Sequence, residues 1–320
     1  MHELLFTFDV EDFINERSFK ALHRITELLG KYRIRALFFI TGHAAEKLAF
    51  YPAVRRSLEI HEIGFHSSAH SVHPTVFEYC DVKDYENAYS TSLERETSHI
   101  DPVSGEMEGV GGVQALRSLF SSKKVFAYKA PGLCCPPPHL EAMVNLGLKF
   151  DFSMNTFART AVTFKGTVLY PCPIFLDCEN NLLAGQPKLS SWALLLRSVL
   201  MRRISVLNFH PSCFVNKDYW DTIYHNGNPP ELTGVSSRES SQTREMLLNL
   251  ERVLLFACQL HDLNLVDPSP DFRIPEVTLD KDRIDLVRVE KALAHWPRAF
   301  FAYKPKYLYS QLSTFFDLAD

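Results

Sequence analysis

Short apolar runs alternate with helical segments along the first 75 residues, and this alternation limits the possible folds more than any other feature. Residues 4–8 (LLFTF) are an apolar run that ends in acids, as a buried strand does. Phe19, Leu22, Ile25 and Leu29 recur at helical spacing over 18–29, and Gly30 stops that helix. A second apolar run, ALFFI at 36–40, is closed by Thr41 and Gly42. A helix follows at 44–50, Pro52 opens another, and 60–65 leads into a His-rich turn. Strands joined through helices pair in parallel, since a crossover must carry the chain back before the next strand begins. The predicted class is α/β.

The pattern continues less regularly. Residues 84–99 read as helix and the Gly- and acid-rich 101–112 as a loop. A strand at 125–128 runs into KAPG, and a helix at 139–146 starts after three prolines and stops at Gly147. Residues 148–152 and 168–169 are strand candidates, 191–203 an amphipathic helix, 204–208 a strand before His210 and Pro211, and 242–261 a long helix. Beyond Pro268 the sequence is irregular. The predicted division is therefore a barrel-forming unit at 1–267 and a C-terminal extension at 268–320 packed on it.

Composition removes several functions. A net charge of -4 and a pI near 6.4 give no basic face for nucleic acid. Seven cysteines at irregular spacing, without a C-x-x-C pair, suggest neither a zinc ribbon nor a dithiol redox motif. A reduced, cytoplasmic setting is the expectation, and residues 1–12 carry no basic and apolar leader pattern. No run reaches the roughly 20 apolar residues of a membrane helix. The longest candidate, 192–206, is broken by Arg197, Arg202 and Arg203.

Reactive residues recur just after strands: Asp9, His66, Lys129 and His210. Sites of α/β proteins gather at the carboxyl ends of strands, so the recurrence points to an enzyme. His66 and His70 lie four apart in HEIGFHSSAH, and on a helical turn both rings would reach one ion, although such a pair alone also arises by accident. Asp9 and Glu11 share one side of a strand end, with Asp12 on the other. Buried acids are costly unless paired, solvated or bound to metal. Asp12 reads as a cap of the next helix.

Taken in order, these segments resemble the polysaccharide deacetylase family (carbohydrate esterase family 4). TFDVED at 7–12 is similar to its first motif, TFDDG; FFITG at 38–42 to the strand after it; and EIGFHSSAH at 62–70 to its second motif. AYKAPG at 127–132 resembles the third, LGLKFDFSM at 146–154 the segment that follows, and LNFHP at 207–211 the fifth. The resemblance implies a distorted, incomplete (β/α)7-type barrel, a divalent metal and hydrolysis of an N-acetyl amide on an amino-sugar glycan or glycan precursor, as in cell-surface polysaccharide biosynthesis. Zinc is the first choice of metal, with cobalt, nickel, manganese or iron as alternatives.

The resemblance also implies roles. Glu11, His66 and His70 hold the metal, Asp9 is the general base, and His210 protonates the leaving amine. Lys129 lowers the pKa of Asp9, Asp177 tunes His210, with Asp151 as the competing acid, and a backbone N–H near Gly132 or Leu133 holds the oxyanion. The chain departs from the family pattern twice. Val10 stands where the motif has its second Asp, so Glu11 takes the ligand role with Asp12 as fallback. Lys129 stands for an arginine, keeping the charge and losing the bidentate fork.

Other features have plainer readings. His61 and His73 are expected to be hydrogen-bonded or exposed, with His73 next to the site as a supporting residue. Cys134 and Cys135 are core residues rather than a nucleophile, and the basic helix 194–203 and the tail 300–316 pack on the barrel rather than touch a lipid-linked substrate. Two alternatives stand beside the deacetylase: a metal-dependent hydrolase of another small amide or formamido sugar, and a non-catalytic sugar-binding relative, which Val10 and Lys129 motivate.

Overall fold

The structure is a computed structural model that describes residues 1–153, 159–177, 183, 188–268, 272, 274, 278 and 304–307. Among these the strands are β1 (His2–Val10), β2 (Leu37–Ile40), β3 (Glu62–Phe65), β4 (His99–Ile100), β5 (Met107–Glu108), β6 (Ala127–Tyr128), β7 (Phe150–Asp151), β8 (Val162–Phe164), β9 (Thr167–Leu169), β10 (Ile174–Phe175), β11 (Ile204–Phe209) and β12 (Val266–Asp267). The helices are α1 (Glu16–Lys31), α2 (Gly42–Leu48), α3 (Pro52–Leu58), α4 (Val76–Cys80), α5 (Tyr85–Thr97), α6 (Gly112–Leu119), α7 (Pro137–Asn145), α8 (Leu189–Leu200) and α9 (Ser240–Asp262).

One sheet runs in the order β10-β11-β1-β2-β3-β6-β7-β9-β8, with β12 beside the start of β1. All its pairings are parallel except the β8–β9 hairpin. From β1 to β9 the order follows the chain, and β11 returns to the other side of β1. This is the winding of a (β/α) barrel in which β8 and β10 do not pair among the described residues, and the fold is a distorted, incomplete barrel of that kind.

β1 is covered on both faces, and every residue from Leu4 to Val10 is buried. That is why it reads as a continuous apolar run rather than an alternating one. Phe8 stacks on Phe38 and Phe209 with ring centroids 5.0 Å apart in each case. α1 buries Phe19, Leu22, Ile25 and Leu29, the residues its periodicity selects. Asn15 caps it by accepting from the N–H of Arg17, and Thr41 caps α2 by accepting from Ala44.

Several elements differ from the sequence reading. The expected loop at 101–112 contains β5 and leads into α6, and β5 pairs antiparallel with β4. α4, α6, β8 and β10 were not anticipated: α4 has five residues, and two- or three-residue strands carry no readable period. Most of the predicted extension at 268–320 lies outside the described residues, as do Met154, Cys178 and most of the 300–316 tail. Within it, Phe272 packs edge-on against Phe126 and Phe150 at 5.1 and 6.1 Å. The N–H groups of Lys306 and Tyr307 donate to Asp81. No helix among the described residues is long and apolar enough to cross a membrane.

Two core histidines are neutral by burial. The His139 ring lies 2.9 Å from the Tyr79 hydroxyl and 2.6 Å from the Tyr128 hydroxyl, and burial pushes its pKa down to about 4. Burial, then the Lys123 and Arg35 charges, bring His61 down to about 4 as well.

Two outcomes are expected. Phe8→Ala lowers unfolding free energy by about 3–5 kcal/mol, read from urea melts. Between pH 6.5 and about 4 the unfolded chain binds protons at His61 and His139 that the folded chain does not, so stability rises with pH there and is lost on acidification. Each ring contributes a slope of about 1.4 kcal/mol per pH unit inside that window. In melts from pH 6.5 down to 4.5, His139→Gln should show a shallower loss than the parent.

Candidate metal centre

The carboxyl ends of β1, β2, β3 and β6 meet at one place. Asp9 pairs with Phe39 in register, and Lys129 begins where β6 ends, its N–H donating to Phe65. Glu11 follows the last residue of β1, and His66 follows the last residue of β3. Glu11 Oε2 lies 3.3 Å from His66 Nε2 and 3.0 Å from His70 Nε2. All three residues are buried, and their ligating atoms lie within 4.8 Å of one another.

Both imidazoles face Glu11 with the same nitrogen, and their outer hydrogen bonds explain why. His66 Nδ1 is 2.7 Å from the Lys129 carbonyl oxygen, which only accepts, so Nδ1 carries the proton and Nε2 keeps its lone pair. His70 Nδ1 is 2.6 Å from Ser71 Oγ, which donates onward to Asp221 and so accepts from the ring. Two Nε2 lone pairs and one carboxylate oxygen therefore converge, a donor set suited to a divalent cation of the zinc type. The field agrees. Burial alone would lower the pKa of His70, but the Glu11 and Asp221 carboxylates outweigh it and raise it to about 9. Burial raises Glu11, but the two histidines hold it well below the usual carboxylate range. This is a place that favours positive charge.

The segment bearing both rings is not helical, as the four-residue spacing suggested. It is an irregular turn after β3, in which Ser67 (φ 68°) and His70 (φ 41°) take left-handed conformations. The rings meet because the backbone reverses, not because of a helical repeat.

Asp9 sits beside this group. Its Oδ2 accepts from Lys129 Nζ at 2.6 Å and from Asn208 Nδ2 at 2.8 Å, and lies 3.4 Å from His210 Nε2 and 4.0 Å from His66 Nε2. Its Oδ1 is buried and has no hydrogen-bond partner among the described residues. An unpartnered buried acceptor costs about 1–3 kcal/mol and calls for an explanation. Burial raises the pKa of Asp9, but Lys129, His66 and His210 together bring it below the ordinary aspartate value. On the far side of His210, its Nδ1 lies 3.2 Å from Asp177, which also accepts the His210 backbone N–H. Asp177, His210 and Cys213 form a second group close enough to share an ion. Phe175 stacks on the His210 ring at 5.8 Å and lies under Lys129 Nζ at 5.4 Å.

Other expectations resolve simply. Asp12 accepts from the N–H groups of Ile14 and Asn15 and from Ser18 Oγ and Asn216 Nδ2, so it organises the entry to α1 and leaves the cap itself to Asn15. Asp151 bonds Ser153 at the end of β7. The Leu133 N–H is used by the Ala130 carbonyl, which removes it as an oxyanion donor. Cys134 and Cys135 are buried, and burial raises both thiols well above their ordinary pKa, which suits packing and not nucleophilic attack. His73 is held by Glu78 and the Tyr224 carbonyl. Asn208, Ser71 and Asp221 join the site without having been singled out. Asn208 lies in the LNFHP segment, two positions before the histidine that stands out there, whereas nothing in the spacing marks Ser71 or Asp221.

The two candidate acids for the ligand role make opposite predictions. Glu11→Gln should abolish stoichiometric zinc in the purified protein, measured by elemental analysis. Asp12→Asn should keep the zinc and lower stability by about 1–2 kcal/mol through weakened turn bonds.

No family model and no curated protein matches the chain. Several solved structures resemble it at low identity. A Mycobacterium smegmatis protein assigned to the polysaccharide deacetylases shares 15% identity at a TM-score of 0.46, over 86% of this chain and 94% of that one. A Streptococcus mutans CE4 esterase shares 15% at 0.43, over 81% and 82%. A CE4 family pseudoenzyme from Bacillus anthracis shares 12% at 0.39, over 84% and 67%.

Proposed function

We propose that this chain is a metal-dependent N-deacetylase that hydrolyses the N-acetyl amide of an amino sugar in a glycan or glycan precursor. The observation that carries the reading is the convergence of Glu11, His66 and His70, at 3.0–3.3 Å, beside a buried Asp9 whose second oxygen is unengaged. Glu11 Oε2 and the two Nε2 atoms would hold a divalent cation, most simply zinc. Bound there, it would polarise the amide carbonyl and bring the pKa of a water molecule down to about 7.

The protein's own residues supply the rest. Asp9 has Oδ2 fixed by Lys129 and Asn208, which leaves Oδ1 to accept the proton of the attacking water. Its lowered pKa keeps it ionised and ready at neutral pH. His210, oriented by Asp177, donates a proton to the departing amine nitrogen, so that acetate and a free amino sugar leave. Lys129 is a point charge that steadies Asp9 and lies over the rings of Phe39 and Phe175, whose centroids are 5.8 and 5.4 Å from Nζ. The same set weighs against the non-catalytic alternative: Glu11 offers a carboxylate where Val10 cannot, and Lys129 supplies a cation to Asp9 Oδ2 while leaving Oδ1 open.

Acetate release from UDP-linked and lipid-linked N-acetylhexosamines tests the reading. Asp9→Asn is expected to retain the metal and lose about 10²–10⁴-fold in kcat. An Asp9→Asn enzyme as fast as the parent, or a parent inert on every such substrate, would rule the mechanism out.

A further inference from the structure

A buried ion pair on α5 grips the turn that carries both imidazoles, and the chemistry above does not use it. Arg95 and Glu96 are consecutive, lie in the last turn of the helix and are fully buried. Glu96 Oε1 accepts from Ser67 Oγ at 2.7 Å, and its Oε2 accepts from the Ser68 N–H. Arg95 Nη1 lies 2.9 Å from both Glu96 Oε1 and Ser67 Oγ. Its Nη2 and Nε donate to the carbonyls of Val72 and Pro74, each at 3.0 Å. Every polar group of the two side chains named here ends on the segment 67–74 or on its partner.

A buried ion pair is weak ground for stability, because desolvating two charges offsets much of their attraction and apolar replacement is often neutral or stabilising. One attested use of such a pair is to fix a conformation. Here the conformation is unusual. Ser67 and His70 both sit at positive φ without being glycine, which persists only where the surroundings over-determine it. The Ser67 hydroxyl donates to one member of the pair and accepts from the other, so its position is set from both sides.

We infer that Arg95 and Glu96 are positioning residues of the metal centre: they lock the Ser67–Ser68 turn in the conformation that aims His66 and His70 at the same carboxylate oxygen. This rests on the metal reading above. It predicts that weakening the pair lowers metal affinity more than it lowers the stability of the metal-free fold.

The test uses the full chain, with Zn²⁺ as probe in competition with a chromophoric chelator, and melting of the metal-free protein in parallel. Glu96→Gln is expected to weaken the Zn²⁺ Kd about 10–100-fold. Ser67→Ala, a milder change, should weaken it several-fold and decides the matter if Glu96→Gln does not fold. Ser92→Ala serves as control: it removes a buried hydroxyl of the same helix that donates to the Ala88 carbonyl and lies 3.6 Å from Cys80 Sγ, with no hydrogen bond to residues 67–74 among the described residues, and should lower the melting temperature without moving the Kd. Kd values within twofold of the parent in Glu96→Gln or Ser67→Ala, with only the melting temperature reduced, overturn the inference alone. A parent chain that takes up no Zn²⁺ overturns the metal reading and this inference with it.

Discussion

Two carboxylates lie buried at the end of one strand, and the arrangement around them follows from the cost of putting them there. Asp9 and Glu11 are each almost fully removed from water. Removing one ionised group costs several kcal/mol even after relaxation. For Asp9 the offset comes from Lys129 and Asn208 on the neighbouring ends of β6 and β11. For Glu11 it comes from two imidazoles delivered by the turn after β3. Parallel pairing along the run β11-β1-β2-β3-β6 is what puts these ends on one side of the sheet.

Lys129 meets the charge of Asp9 in a way an arginine could not. A guanidinium would need two acceptors in a plane, whereas an ammonium needs one good acceptor and apolar cover for its stem. Lys129 has a 2.6 Å bond to Asp9 Oδ2, and the ring centroids of Phe39 and Phe175 lie 5.8 and 5.4 Å from its Nζ. The single contact leaves the other carboxylate oxygen of Asp9 unengaged, which a bidentate partner would have occupied.

Much of this was legible in the sequence, for identifiable reasons. β1, β2, β3 and β11 are buried on both faces, so they show as unbroken apolar runs, and α1 shows its stripe because only one face is covered. Asp9, Glu11, His66, His70, Lys129 and His210 stand out because each falls at or just after a strand end. The spacing of the two histidines led to a meeting of the rings but by the wrong geometry, since a tight irregular turn and a helix can both bring residues four apart together. Arg95 and Glu96 were invisible for a different reason. In ERET at the end of a polar helix, they look like a solvated face, and only the tertiary structure shows that this face is turned inward. Asp221 likewise reaches His70 across 150 positions of chain through Ser71, a relation that no local pattern encodes.

Gly111 and Gly112 bear on how far this region can be altered. A β-carbon on Gly112 would collide with Ser68 Oγ and the Glu96 carbonyl, and one on Gly111 with the backbone of His99. Gly42, across the seam, has somewhat more room, but a β-carbon there would still come within 2.8 Å of Gly112 and the Ser68 carbonyl. The starts of α2 and α6 thus lie directly against each other and against Ser68 and Glu96, with no side chain of their own between them. A bulky residue introduced there would displace Ser68 or Glu96, and through them the turn that carries the two imidazoles.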